Sequence, residues 1–214
     1  MQPYDVIVLG TGAAGLTAAI TAAETGARTG LFEKSDKVGG TSAWSGGQIW
    51  IPNNQYGKAA GKADSREDAL AYFAALSNDL IPEELSTAYV DTGPEMLAFL
   101  EDNTPVEFYS VKDFPDYHPE LPGGKPEGGR TIECPPYPFG ELGAWKDKVE
   151  ISPYFPDMHI AVGETTLGQA IAVPVSAEVK ERRVANDERG LGHSLVGRLL
   201  RGSPDAHTRM TIVA

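Results

Sequence analysis

Residues 4–15 read YDVIVLGTGAAG, a short apolar, β-branched run followed at once by glycines at 10, 12 and 15. Such a run makes a buried parallel strand. The next stretch, LTAAITAAETG at 16–26, is alanine-rich and closes on Gly26, which suits a helix ended by a residue of positive φ. RTGLFE at 28–33 returns as a second strand, and its last residue, Glu33, lies about 20 residues beyond the glycines. Strand, G-x-G-x-x-G turn, helix, strand and acidic residue complete a βαβ unit with the dinucleotide fingerprint. They predict an α/β fold with a Rossmann-like parallel sheet.

Each part of the fingerprint has a chemical reason. Gly10 allows the tight turn, Gly12 lets the backbone approach a pyrophosphate, and Gly15 lets the helix sit close to the sheet. The first-turn amides, those of Ala13 and Ala14 among them, face the anion, and the helix dipole adds about 0.3–1 kcal/mol. Glu33, with Lys34 beside it, is placed to accept hydrogen bonds from ribose hydroxyls and to repel the extra phosphate of NADP. Taken alone, G-x-G-x-x-G also fits a purely structural glycine loop.

The segment KVGGTSAWSGGQIWIPNN at 37–54 separates the candidate cofactors. Gly39, Gly40, Gly46 and Gly47 alternate with Thr41, Ser42 and Ser45, which points to a second close backbone approach to a ligand. An NAD domain has no evident need for it, whereas a cofactor running on from the pyrophosphate to an isoalloxazine ring does. The reading favours FAD; an ordinary glycine-rich surface loop is the alternative.

Composition narrows the partners. A net charge of −12 argues against nucleic acid, and 41% hydrophobic with 22% charged residues is an ordinary globular mixture. The single cysteine, Cys134, excludes an internal disulfide, and with no secretory leader pattern at the N-terminus the expected location is cytoplasmic. The longest apolar run is broken by glycines, so no segment reaches the roughly 20 residues of a membrane span. Cys134, His159 and His193 lack neighbours at ligand spacing, and no metal is expected.

SREDALAYFAALSND at 65–79 reads as a helix capped by Ser65, with Ala69, Leu70, Phe73 and Leu76 as its core face. PEELSTAYVDTGPEMLAFLEDN at 82–103 reads as two helices divided at Gly93-Pro94, with Tyr72 and Tyr89 as packing residues. From 104 to 160, prolines, glycines and aromatics predict an ordered but irregular excursion beside a site. Within it DFPDYHPELPGG at 113–124 spends three prolines and two glycines on presenting Tyr117 and His118.

The run from YDVIVLGTGAAG through EKSDKVGGTSAWSGGQIWIP resembles the FAD-binding oxidoreductases of the fumarate reductase and 3-ketosteroid dehydrogenase superfamily. SGGQIWIPNN at 45–54, DTGPEMLAFLE at 91–101 and DYHPELPGG at 116–124 look most like 3-ketosteroid Δ1-dehydrogenases. The resemblance spans 4 to about 133, is patchy over 134–185, and resumes in LGHSLVGRLLRG at 191–202. It implies an enzyme that moves a hydride from steroid C1 to flavin N5 and a proton from C2 to a tyrosine. It further implies a hydrophobic steroid substrate and a separate electron acceptor. Gly40 stands where covalent branches of the superfamily carry a flavin-attaching histidine, which implies noncovalent FAD. Tyr117 is implied to be the helper tyrosine that hydrogen-bonds to the base.

The resemblance also implies a fragment, inactive alone. Residues 1–214 would be the N-terminal part of a discontinuous FAD-binding domain: a βαβ core with helices at 1–103, an active-site excursion at 104–160 and a truncated remainder at 161–214. The substrate domain, the base and the carbonyl-polarising residues would lie elsewhere. TRMTIVA at 208–214 reads as a strand, and Pro204 in SPDAH departs from the family pattern by stopping a helix. A fumarate reductase or succinate dehydrogenase-like flavoprotein and a non-catalytic FAD-binding remnant are the alternatives.

Overall fold

The fingerprint folds as its spacing demands in a computed structural model that describes residues 3–78, 80–155, 157–166, 175–202 and 210–213. In chain order the elements are β1 (Val6–Leu9), α1 (Ala13–Glu24), β2 (Thr29–Phe32), α2 (Gly40–Trp44), β3 (Ile49–Trp50), α3 (Gln55–Ala59), α4 (Arg66–Ser77) and α5 (Glu83–Asn103). Then follow β4 (Tyr109–Ser110), β5 (Thr131–Glu133), β6 (Tyr137–Pro138), α6 (Ala177–Ala185), β7 (Glu188–Arg189), α7 (Leu191–Arg201) and β8 (Met210–Val213). Two 3₁₀ turns, Phe139–Trp145 and Val162–Glu164, complete the order.

β1 and β2 pair in parallel with Val6 opposite Thr29, and β8 joins the other side of β2, Phe32 opposite Val213, giving the order β1-β2-β8. The stretch 208–214 thus supplies a strand as expected over its described residues. Helix α1 buries Leu16, Ala19, Ile20 and Ala23, the i, i+3, i+4, i+7 stripe of an amphipathic helix. Gly15 is needed for a steric reason, because a Cβ there would lie 2.0 Å from the Gly10 carbonyl oxygen. Helix α7 packs beside α1 and α2, and every residue from Leu191 to Leu200 is buried.

The expectation of a strand buried on both faces requires correction. Strand side chains alternate, so Val6 and Val8 turn one way while Ile7, 62% exposed, and Leu9, 80% exposed, turn to a face that no described element covers.

The second helical layer also departs from the sequence reading. Ser65 caps α4 by accepting from the Asp68 amide at 3.0 Å, as expected. Its buried residues are Ala69, Tyr72 and Ser77, with Leu70 and Phe73 partly buried, whereas Leu76 is 42% exposed at a cavity rim. Residues 83–103 form one helix, α5, running through Pro94, not two. An interior proline costs about 3 kcal/mol or more. Burial of Val90, Leu97 and Leu100 offsets it at roughly 1.5–3 kcal/mol for each side chain.

The 104–160 excursion is more regular than composition indicated. β3, β5 and β4 form an antiparallel sheet with Ile49 opposite Ile132 and Tyr109 opposite Glu133. Strands of two or three residues are too short to show a period in the sequence. The SPDAH reading at 203–207 lies outside the described residues. Among the described residues no helix is long and apolar enough to cross a membrane.

Candidate functional site

The two glycine segments converge at the N-terminus of α1. Ser42 Oγ accepts from the Ala13 amide at 3.0 Å, across 29 positions of sequence. The first helical bond runs from the Leu16 amide to the Gly12 carbonyl at 2.9 Å, so the Ala14 and Gly15 amides precede the intrahelical ladder. A Cβ placed on Gly10 or Gly40 would find no atom within 4 Å, and on Gly12 only Ser42 Oγ, at 3.3 Å. Open glycine backbone beside helix-start amides and a hydroxyl is the donor set that a pyrophosphate requires, and these residues fit the dinucleotide expected of them.

The remaining predicted residues divide into two groups. Gly39 holds φ +102° at the start of α2 and donates its amide to Thr11 Oγ1 at 2.9 Å. Thr41 and Ser45 are exposed, and Ser45 Oγ accepts from the Gly47 amide at 3.0 Å. Gly46 and Gly47 serve internal packing instead of an open ligand surface: added Cβ atoms would stand 3.0 Å from Val162 Cγ2 and 2.4 Å from the Leu191 carbonyl oxygen. Gly47 therefore lets α7 approach the loop.

Glu33 sits at the end of β2, where its Oε2 accepts from the Thr11 amide at 2.9 Å and the Thr11 hydroxyl at 2.5 Å. Oε1 accepts from the amides of Lys34 at 2.8 Å and Ser35 at 3.2 Å, while the Lys34 side chain is exposed. Burial pushes the carboxyl upward, but these donors outweigh it and hold the group below the ordinary carboxylate range. Thr11 occupies an unspecified position of the fingerprint, so only its hydroxyl could have marked it in the sequence.

β3 carries the chain from Gly47 directly into the wall of an apolar cavity of about 280 Å³. Gln48, Ile49 and Trp50 form one side, Tyr72, Phe73 and Leu76 of α4 another, and Phe114 to His118 the third. Tyr117 stands at its mouth, 84% exposed, with its ring 6.4 Å from that of Phe114. His118 is exposed, its amide donating to the Tyr72 hydroxyl at 3.1 Å and its Nδ1 lying 3.2 Å from Glu120. Tyr72 packs tilted on Trp50 and Tyr89 stacks on it, the packing roles expected for both.

The loop is anchored by more than its prolines. Asp116, next to Tyr117, accepts from Trp50 Nε1 at 2.6 Å, from the Lys125 amide at 2.9 Å and from Arg130 at 2.9 Å. Arg130 is 1% exposed, also donates to both oxygens of Asp64 at 2.9 and 2.7 Å, and lies 5.2 Å from the Trp50 ring centre. Burial raises the Asp64 carboxyl, yet the Arg130 hydrogen bonds more than reverse this and leave it low. Sequence reading named none of Asp64, Asp116 and Arg130, because charged residues spread over 66 positions carry no local signature.

Buried groups elsewhere are structural. Glu133 accepts from the Tyr109 hydroxyl at 2.5 Å and from the Val162 and Gly163 amides at 2.9 and 2.7 Å, and burial raises its carboxyl. Burial pushes the Cys134 thiol up to about 12, far from a reactive thiolate. Among the described residues no group of His, Cys, Asp and Glu could hold a metal ion.

Comparison with known proteins agrees with this geometry. The model of the FAD binding domain family matches residues 5–213, which selects FAD over NAD. The chain is similar to a 3-oxosteroid 1-dehydrogenase of Mycolicibacterium smegmatis, 45% identical over 142 residues, covering 66% of this chain and 25% of the relative. It is 48% identical over 130 residues to a 4-oxocyclohexanecarboxylate 2-dehydrogenase of Sinomonas cyclohexanicum, covering 61% and 22%. The chain thus spans about a quarter of the length of these relatives. Among solved structures, a 3-ketosteroid Δ1-dehydrogenase from Sterolibacterium denitrificans in complex with 1,4-androstadiene-3,17-dione superposes with a TM-score of 0.77 and 28% identity, covering 98% of this chain and 40% of that one. With the fingerprint geometry, the parallel sheet and a family match over nearly its whole length, the chain belongs to the FAD binding domain family.

Proposed function

We propose that this chain supplies the FAD site and one wall of the substrate site of a 3-ketosteroid Δ1-dehydrogenase, acting in steroid breakdown. The observation that carries the reading is the apolar cavity with Tyr117 at its mouth, reached from the second glycine segment through β3. Bound FAD supplies the hydride acceptor. The Gly10–Gly15 turn and Ser42 bind its pyrophosphate, Glu33 its ribose, and the Gly40–Ser45 segment its continuation toward the ring. The cofactor is noncovalent in this reading, since Gly40 offers no side chain for attachment.

The cavity walls Ile49, Trp50, Phe73 and Phe114 exclude water and hold an apolar ring system. Tyr117 then donates a hydrogen bond to a second tyrosine, supplied by chain outside these residues. That bond stabilises the phenolate that takes the C2 proton. A second group outside these residues polarises the ketone, and an external acceptor receives the electrons. The lone cysteine suits a cytoplasmic setting. A fumarate reductase-like activity fits less well, because a dicarboxylate needs free cations and Arg130 is already paired with Asp64 and Asp116.

The test is a paired titration of the flavin-loaded chain, following its tryptophan fluorescence. A 3-keto-4-ene steroid should quench the emission saturably, and succinate should not. Equal response to both ligands would sink the steroid assignment.

A further inference from the structure

Thr11 is the fully buried hydroxyl of the fingerprint, and it bridges three segments. Its Oγ1 donates to Glu33 Oε2 at 2.5 Å and accepts from the Gly39 amide at 2.9 Å, while its own amide donates to the same Oε2 at 2.9 Å. Oε2 is therefore held by two donors from one residue that is itself fixed by the amide of Gly39, the residue before α2. Oε1 is held more loosely, by two adjacent amides of a turn, of which Ser35 is at 3.2 Å.

A carboxylate presents about four in-plane acceptor sites, and four donors occupy them here. A ribose diol must displace one donor, and the longest bond is the weakest candidate to resist. Short, charge-assisted bonds such as the one from the Thr11 hydroxyl are the ones retained. We propose that Thr11 is a positioning residue that locks Glu33 through Oε2 and so presents Oε1, loosely held by Ser35, as the oxygen that receives the cofactor's ribose hydroxyls. This rests on the reading that Glu33 binds the ribose. Because the same hydroxyl is anchored by Gly39, the lock also ties the ribose end of the site to the segment whose Ser42 reaches the pyrophosphate turn.

The experiment titrates the 214-residue chain with ADP and with 2′,3′-dideoxy-ADP by calorimetry, alongside carboxyl-labelled NMR of Glu33. Wild type should prefer ADP by roughly tenfold or more, the scale of one lost charged hydrogen bond. Thr11→Val should collapse that preference to about threefold or less and raise the Glu33 titration, whereas Thr11→Ser should keep both. If wild type shows no preference, or Glu33→Gln keeps it, the ribose reading itself fails and the inference with it. If Glu33→Gln abolishes the preference and Thr11→Val leaves it intact, the role of Thr11 alone is overturned. Wild type provides a readout that does not depend on variant folding: the Ser35 amide resonance should shift further with ADP than with 2′,3′-dideoxy-ADP, while the Thr11 amide should respond alike to both. The reverse pattern overturns the assignment of Oε1.

Discussion

The Asp116 carboxylate and the Arg130 guanidinium meet at 2.9 Å with each side chain 1% exposed, one residue away from a tyrosine that is almost entirely in solvent. A buried pair of this kind is costly to break, since removal of one partner strands the other charge. Arg130→Ala is expected to lower the free energy of unfolding by about 3–5 kcal/mol. Urea denaturation measures it, and a loss below about 1 kcal/mol would show that water or Lys125 takes over the role.

Gly12 and Gly15 should separate binding from folding. Gly15→Val forces side-chain atoms into the Gly10 carbonyl and should destabilise the chain outright. Gly12 has ordinary backbone angles, φ −66° and ψ 172°, and an added methyl group would meet only Ser42 Oγ, at 3.3 Å, a tight contact that a shift of the serine side chain by a few tenths of an ångström relieves, so Gly12→Ala should fold with near-native stability. It should still weaken FAD by about tenfold or more, roughly 1.4 kcal/mol, by standing where the pyrophosphate approaches. Thermal melts and flavin retention on gel filtration distinguish the two, and unchanged retention in Gly12→Ala would remove the phosphate from this turn.

His193 gives the chain an acid limit. It is fully buried, and burial first, then the charge of Arg189, lowers its imidazole to about 4 from an ordinary 6.5. The unfolded chain binds that proton more readily, so stability is whole above pH 6.5 and declines as pH falls toward about 4. Across the window this amounts to about 3 kcal/mol. The replacement His193→Phe should flatten the dependence over the same range in denaturant midpoints.

In a full-length relative carrying this N-terminal half, Tyr117→Phe should leave flavin content unchanged. It should lower turnover by roughly tenfold to a hundredfold, the part of acid-base assistance that a supporting hydrogen bond supplies. Stopped-flow reduction of the bound flavin by a 3-keto-4-ene steroid reads the step directly. An unaltered rate would make Tyr117 a packing residue.

The sequence resolved the parts of the molecule where chemistry is local. The glycine turn and the cap at Ser65 each depend on neighbours within a few residues, Glu33 follows from the fixed length of one βαβ unit, and all three appear where their spacing placed them. Pro94 misled because its cost is local whereas its compensation is not: the helix survives through side chains buried against other segments. The Asp64–Arg130–Asp116 cluster was invisible for the same reason, its members meeting only after β3, α4 and the 113–124 loop have assembled. Gly46 and Gly47 carried the right kind of signal for a different partner, since close backbone approach looks alike in sequence for a ligand and for a helix.

Strand β1 has a bearing on how the purified chain will behave. It hydrogen-bonds to β2 along one edge, its other edge has no strand among the described residues, and Ile7 and Leu9 point into water. An open, apolar edge strand is a template for adding further strands from other molecules. The chain on its own should therefore self-associate as its concentration rises, and light scattering should detect this before any loss of helix signal. Ile7→Lys with Leu9→Lys, a charged pair on that face, should keep it dispersed.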